Sequence, residues 1–160
     1  MNSYIGYRVE YDNGDVELRY GRILDYDKKR RKELKSITGC FDYFIDETEL
    51  FRDCEKLIEV HSSVVVRVTN MRWMFCDSKF NGDISEWNVS NVTNMSLMFK
   101  GSDFDGDISG WDVSSVIDMC AMFRDSDFDG DISGWDVSSV TDMSAMFRDS
   151  DCVIPDWYRE

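Results

Sequence analysis

The chain has 160 residues, 42% of them hydrophobic and 14% aromatic, which is enough for one folded domain and too much for a disordered acidic tail. Its 32 acidic and 18 basic side chains leave a formal net charge of −14. That balance argues against gripping nucleic-acid phosphates or an anionic membrane, and a basic partner, a cation or simple solubility fits it. No run of eighteen apolar residues occurs and the N-terminus carries no basic-then-apolar leader, so a cytoplasmic protein without a membrane segment is expected. The five cysteines, Cys40, Cys54, Cys76, Cys120 and Cys152, contain no Cys-x-x-Cys pair and read as reduced thiols filling the core.

The first predicted element is a β-hairpin over residues 7–20. Asn13-Gly14 is a strong signal for a two-residue turn, and folding there pairs Tyr11 with Val16, Val9 with Leu18 and Tyr7 with Tyr20 on one apolar face. That register also sets Arg8 opposite Arg19 and Glu10 opposite Glu17, a modest cost that the Arg8–Glu17 diagonal partly offsets. A basic segment follows at 25–35, with Lys28, Lys29, Arg30, Arg31 and Lys32 in succession. It reads as a solvated helix or loop opened by Asp25 or Asp27, with a nuclear-import-like patch and a phosphate or RNA contact as alternatives. Hairpin and basic segment together are expected to form an N-terminal cap over residues 1–43.

From residue 44 onward the sequence repeats every 24 residues. Phe80, Phe104 and Phe128 form one column, followed by Ile84, Ile108 and Ile132, by Trp87, Trp111 and Trp135, by Val89, Val113 and Val137, and by Val92, Val116 and Val140. Met71, Met95, Met119 and Met143 form a longer column, as do the pairs beginning at Met74-Phe75, which reach back to Leu50-Phe51. This predicts about five coils over residues 44–160, the first degenerate and the last truncated, because Trp157 arrives two residues early. Within a coil, Val140, Met143, Met146 and Phe147 are spaced as on a short helix or 3₁₀ segment. Trp135 and Val137 alternate with Asp136 as in a short strand, and the three-residue step from Ile132 to Trp135 predicts a bend at Gly134. The expected fold class is therefore an α/β repeat solenoid of leucine-rich-repeat-like coils, each with a short strand and a short helix or 3₁₀ segment, behind a β-hairpin cap.

The run from Phe128-Asp129-Gly130-Asp131-Ile132-Ser133-Gly134-Trp135 through Val140-Thr141-Asp142-Met143-Ser144-Ala145-Met146-Phe147 resembles the repeat of the BspA-like leucine-rich repeat surface proteins, including their mycoplasmal relatives of unknown function. The resemblance covers roughly residues 65–150 and more weakly 44–64. It implies a non-enzymatic scaffold for protein–protein contact, often adhesive and often on a cell surface.

Catalytic machinery is not visible in the residues. His61 is the only histidine, and no nucleophile elbow, phosphate loop or dinucleotide fingerprint is present. The turns Asp103-Phe104-Asp105-Gly106-Asp107 and Asp127-Phe128-Asp129-Gly130-Asp131 superficially resemble calcium loops, yet Gly106 and Gly130 precede the third Asp and position twelve is Ser114 or Ser138. Turn-forming roles are expected there, with weak cation binding as the alternative. No cofactor is expected.

Residues 61–160 carry 18 acidic against 7 basic side chains, so −11 of the −14 belongs to the repeats. Columns such as Asp107 with Asp131, or Asp112 with Asp136, place carboxylates one coil apart, where two unit charges repel by about 1 kcal/mol in water. The expected contact face is the Ser/Asp surface of the repeat strands: Ser85, Asn88, Ser90, Ser109, Asp112, Ser114, Ser133, Asp136 and Ser138. The expected function is a non-enzymatic protein–protein interaction scaffold whose partner has a basic surface, with no direct nucleic-acid binding. The alternative is an acidic inhibitor or nucleic-acid mimic of viral or phage origin that occupies a basic cleft of a host enzyme.

Overall fold

A computed structural model describes residues 6–11, 14–20, 34–39, 51–60 and 68–159. Asn13, Asp25, Asp27, the basic run from Lys28 to Lys32, Cys40, Leu50 and His61 lie outside the described residues. The N-terminal strands form one small sheet. β1 (Gly6–Tyr11) and β2 (Val16–Tyr20) make an antiparallel hairpin, and β3 (Leu34–Gly39) pairs with the other edge of β1. The two-residue β4 (Glu59–Val60) adds in parallel to β3, giving the order β2-β1-β3-β4.

The hairpin register differs by one residue from the expected one: Glu10 lies opposite Val16, Val9 opposite Glu17 and Arg8 opposite Leu18. The loop explains part of the shift. Gly14 N–H donates to the Tyr11 carbonyl at 3.0 Å, Tyr11 N–H donates to the Asp15 carbonyl at 2.9 Å, and Gly14 has φ 85°. A left-handed glycine closing a turn plus bulge replaces the two-residue Asn-Gly loop. The shifted register also removes both like-charge pairs from direct opposition. Accordingly Tyr11 is buried while Val16 is 48% exposed, so the two do not share an apolar face. Tyr11 pairs instead with Leu34 across a bulge, and both enter one core with Phe51. The sheet is tied to the first coil where Ile58 N–H donates to the Lys35 carbonyl at 2.8 Å.

From Val68 onward the 24-residue period is the register of a stack. Single parallel bridges link Asn70 to Asn94, Asn94 to Asp118 and Asp118 to Asp142. The N–H groups of Met71, Trp73, Phe75 and Asp77 donate forward to the carbonyls of Asn94, Ser96, Met98 and Lys100 at 2.8 to 3.2 Å. The intervening N–H groups of Met74, Cys76 and Ser78 donate backward to Met71, Trp73 and Phe75. The same alternation recurs from Met95 and from Met119.

These bonds overturn the expected α/β solenoid with a helix and a strand in each leucine-rich-repeat-like coil. Among the described residues there is no helix, and the repeats hold isolated bridges in place of strands. A helix or 3₁₀ segment would use its N–H groups within itself; in the equivalent segments that begin at Met71, Met95 and Met119 every second one leaves for the neighbouring coil. Left-handed residues produce the alternation. Trp73, Leu97, Ala121 and Ala145 lie at φ 51° to 59°, and Asp77, Gly101, Asp125 and Asp149 at φ 55° to 63°. Each occupies the third position of a four-residue turn, where a type II turn requires positive φ. The steps of three from Val140 to Met143 to Met146 therefore connect turn corners. The strand expected at Trp135-Asp136-Val137 gives way to two turns, with Trp135 N–H donating to Ile132 at 3.1 Å and Val140 N–H to Val137 at 3.0 Å. The first of these turns is the bend at Gly134.

Apolar columns run through the stack as continuous ring ladders. Phe51, Phe75, Phe99, Phe123 and Phe147 are spaced at centroid distances of 5.2, 5.6, 5.7 and 5.9 Å, and Phe80, Phe104 and Phe128 form a second column at 6.3 Å. Trp87, Trp111 and Trp135 are buried beside them. Trp111 and Trp135 each donate Nε1–H to an isoleucine carbonyl of the preceding coil, Ile84 and Ile108, at 3.1 Å. Trp157 makes the same bond to Ile132 at 3.1 Å, so the truncated last coil still fills the tryptophan slot. Gly106 is required because Phe104 folds back over it, and a Cβ there would lie 2.8 Å from the ring.

Candidate partner-binding face

The exposed surface of the repeats is built from one local device, an Asp or Asn followed two residues later by Ser. The Asx side chain accepts the serine backbone N–H, and often its hydroxyl too, closing a small turn that fixes the carboxylate rotamer. Asp83 accepts Ser85 N–H at 2.9 Å and Oγ–H at 2.8 Å; Asp107 accepts Ser109 at 2.9 and 2.7 Å; Asp112 accepts Ser114 at 3.2 and 2.6 Å. Asn88 holds Ser90 at 3.1 and 2.7 Å in the same way. Asp131 and Asp136 accept the backbone N–H of Ser133 and Ser138 at 2.9 and 3.0 Å. Asp142 does the same for Ser144.

These bonds stabilise the ionised form. Donation from the serine hydroxyl and then its N–H lowers Asp107, Asp112, Asp136 and Asp142 below the usual 3.8, and donation from the serine N–H and then its hydroxyl lowers Asp83 and Asp131. Asp83 opposes the shift at Asp107 from one coil away, as Asp136 does at Asp112, but neither reverses it. The face thus presents carboxylates that are exposed, ionised and held in place.

Each predicted site residue falls on this surface, but in a different setting from the one expected. Ser85, Asn88, Ser90, Ser109, Asp112, Ser114, Ser133, Asp136 and Ser138 sit on turns, all exposed or half-exposed, and no row of strands lines a concave sheet. The hydroxyls of Ser85, Ser90, Ser109 and Ser114 are turned onto their own Asx partners. Serine here orients the charge beside it. The expected contact face leaves out Asp83, and leaves out Asp107 and Asp131 although they form one of the carboxylate columns; the Asp-x-Ser spacing at 83–85, 107–109 and 131–133 signals all three.

A third column braces the stack. Asn81 Oδ1 accepts the Asp105 N–H at 2.9 Å and Asp105 Oδ1 accepts the Asp129 N–H at 3.1 Å. Asp105, Gly106, Asp107, Ser109, Asp129, Gly130 and Asp131 line an open groove between two coils. Charge rises along the axis, because Asn81 and Asn88 are replaced by Asp105 and Asp112 and then by Asp129 and Asp136. Basic side chains gather on the turn segment: Arg124 pairs with Asp125 at 3.2 Å, Arg148 with Asp149 at 3.4 Å, and Arg52 and Arg72 stand over the Trp73 ring at 5.5 and 4.2 Å.

The aspartates of the two calcium-loop-like turns have partners within the protein. Asp103 pairs with Lys79 at 3.1 Å, Phe104 and Phe128 are buried, Asp105 braces the next coil and Asp107 holds Ser109. Among the described residues no group of three or more His, Cys, Asp or Glu side chains is placed to hold a metal. Cys54, Cys76, Cys120 and Cys152 are free thiols. Burial and the neighbouring Asp77 push Cys76 up to about 12, and burial with Asp129 pushes Cys152 up to about 11, which keeps both protonated and poorly nucleophilic. Among the described residues no helix is long and apolar enough to cross a membrane.

No curated protein and no solved structure matches the chain. A family model described as "Mycoplasma protein of unknown function, DUF285" matches residues 46–157. That span runs from before Phe51 to the Trp157 slot and takes in every described coil, so the chain belongs to the DUF285 family.

Proposed function

We propose that this protein is a non-enzymatic scaffold that binds a protein partner carrying a basic surface. One observation carries the reading: Asp83, Asp107, Asp112, Asp131 and Asp136 are exposed carboxylates whose serine partners lower their pKa and hold their rotamers. Groups already oriented lose little side-chain freedom on meeting Lys or Arg. The resemblance of the repeat to BspA-like proteins supports a contact role, and the high thiol pKa values of Cys76 and Cys152 speak against cysteine nucleophiles. The rise in charge along the axis centres the contact on the coils holding Asp107, Asp112, Asp131 and Asp136.

The test is capture of partners from host lysate by the parent and by the Asp112→Ser/Asp136→Ser variant, at low and moderate salt. Loss of a captured basic protein in both the variant and salt is expected. Unchanged capture by the variant rejects this face. The same columns, with carboxylates repeating once per coil, support a second reading as an acidic inhibitor of viral or phage origin imitating nucleic-acid phosphates. Competition with DNA or RNA for a basic enzyme cleft separates the two: displacement of nucleic acid selects the inhibitor.

A further inference from the structure

Three pairs of residues in the stack share one column: Asn81-Gly82, Asp105-Gly106 and Asp129-Gly130. Asn81 Oδ1 accepts the Asp105 N–H of the next coil at 2.9 Å, and Asp105 Oδ1 accepts the Asp129 N–H at 3.1 Å. The bracing bond is the same for an amide and for a carboxylate, because each offers an oxygen acceptor. Asn81 is therefore the uncharged member of a column whose other members are charged, and a carboxylate in its place keeps the same bond.

Asparagine followed by glycine is also the pair most prone to lose its amide. The glycine backbone nitrogen attacks the side-chain Cγ, a five-membered succinimide closes and ammonia departs. Water then opens the ring, leaving Asp, or isoAsp where the main chain comes to run through the β-carbon. The step needs a nitrogen free to attack, a polarised carbonyl and access to water. Gly82 N–H donates to no acceptor among the described residues. The Asp105 N–H sits at Oδ1, where negative charge develops as the nitrogen adds to Cγ, and stabilises it. Asn81 is exposed, so water reaches the ring and ammonia leaves freely.

The other described asparagines are worse placed. Asn70, Asn91 and Asn94 precede Met71, Val92 and Met95, whose N–H groups are already donated to the carbonyls of Asn94, Val89 and Asp118. Asn88 precedes Val89, whose branched side chain crowds its own nitrogen. In the second Asn-Gly pair of the chain, Asn13-Gly14, the Gly14 N–H donates to the Tyr11 carbonyl at 3.0 Å.

We propose that Asn81 is a self-modification site, which deamidates through a succinimide with Gly82 in the folded protein and adds a carboxylate to the column of Asp105 and Asp129. The reaction consumes water and releases ammonia, with no oxidant, reductant or enzyme: the Gly82 N–H proton is lost as the C–N bond forms and is regained when water cleaves that bond. The new side chain is ionised at neutral pH, one coil before the groove-lining Asp105. The chemistry needs no partner and does not rest on the contact reading, so the two fail separately.

The test is incubation of the full chain at neutral to mildly alkaline pH and physiological temperature, followed over days by ion exchange and by peptide mapping with mass spectrometry. A growing, more acidic species is expected, with the mass of an amide exchanged for an acid, mapped to Asn81 and formed there several-fold faster than at Asn13. Asn81→Gln removes that species, because Gln-Gly closes its larger ring far more slowly, and Asn81→Asp coelutes with one of its products and melts close to the parent. If Asn81→Gln folds poorly, the map of the parent decides alone. In denaturant neither glycine nitrogen is engaged, and the two Asn-Gly pairs are expected to react alike; a preference for Asn81 that persists there removes the fold from the account. No conversion at Asn81, or Asn13 reacting first in the folded chain, overturns the proposal.

Discussion

The N-terminal sheet and the coil stack solve the same backbone problem in opposite ways. In the sheet, β1 satisfies its neighbours on both edges through antiparallel ladders, and a left-handed Gly14 lets the chain reverse locally. In the stack, half of the N–H groups of each turn segment close turns inside the coil and half are satisfied only by the coil that follows. The sheet is self-contained at its centre, whereas a coil is complete only when flanked. Stability in the stack is therefore a sum over junctions, and position along the axis decides the effect of a substitution.

That contrast can be broken most severely at an interior tryptophan. Trp111→Ala removes a buried ring and its bond to the Ile84 carbonyl, and a loss of about 3–5 kcal/mol in chemical denaturation is expected. Trp157→Ala removes the equivalent ring at the partly exposed end and is expected to cost less. Equal losses would refute the dependence on position. Gly101→Ala comes next: a side chain at φ 63° costs about 1–2 kcal/mol, and its Cβ would lie 2.6 Å from an Asp77 carboxylate oxygen. A melting temperature equal to the parent's would show that the turn segment relaxes. In the sheet, Lys35→Ala breaks the half-exposed ion pair with Glu10 at 3.1 Å, and a change of at most about 1 kcal/mol is expected.

The smallest effect is read as titration. Asp107 lies below 3.8 because the Ser109 hydroxyl and N–H donate to it, so Ser109→Ala is expected to move it upward in a carbon-detected NMR titration. Depressed folded-state values mean that folding favours the ionised form. The contribution of these aspartates is complete above the ordinary value and disappears as pH falls through the lowered one. Melting temperature should therefore fall with acidification below about pH 4, less steeply in Ser109→Ala; an identical slope would remove the serine from the account.

Much of the stack was legible in the columns. Phe, Trp, Val and Met repeat at 24 because they occupy the same interior slot in successive coils, and their burial follows. The local geometry was not legible, because steps of three and of two arise from successive turns as readily as from a helix and a strand. Trp73, Leu97 and Ala121 gave no warning of positive φ, which bulky L-residues ordinarily avoid. The alignment of Gly101 with Asp77, Asp125 and Asp149 was the available hint, since glycine and aspartate share tolerance of that region. The hairpin register differs because Asn13-Gly14 signals a two-residue loop, whereas the opposed like charges of that register favour the shift. At the candidate face the residue positions were readable, but the role of serine required noticing that each one follows an Asx by two.

The 24-residue register also constrains how such a chain can change length. Insertion of a single residue within a coil offsets one ring ladder against another and misdirects the N–H groups behind it. Removal of residues 105–128 instead joins Phe104 to Asp129, recreating the local sequence found at Phe128-Asp129. Duplication of the same block leaves every column intact. Growth and shrinkage by unequal exchange between copies of the repeat therefore meet no packing penalty, provided that they proceed in whole coils and leave the sheet and the Trp157 end in place.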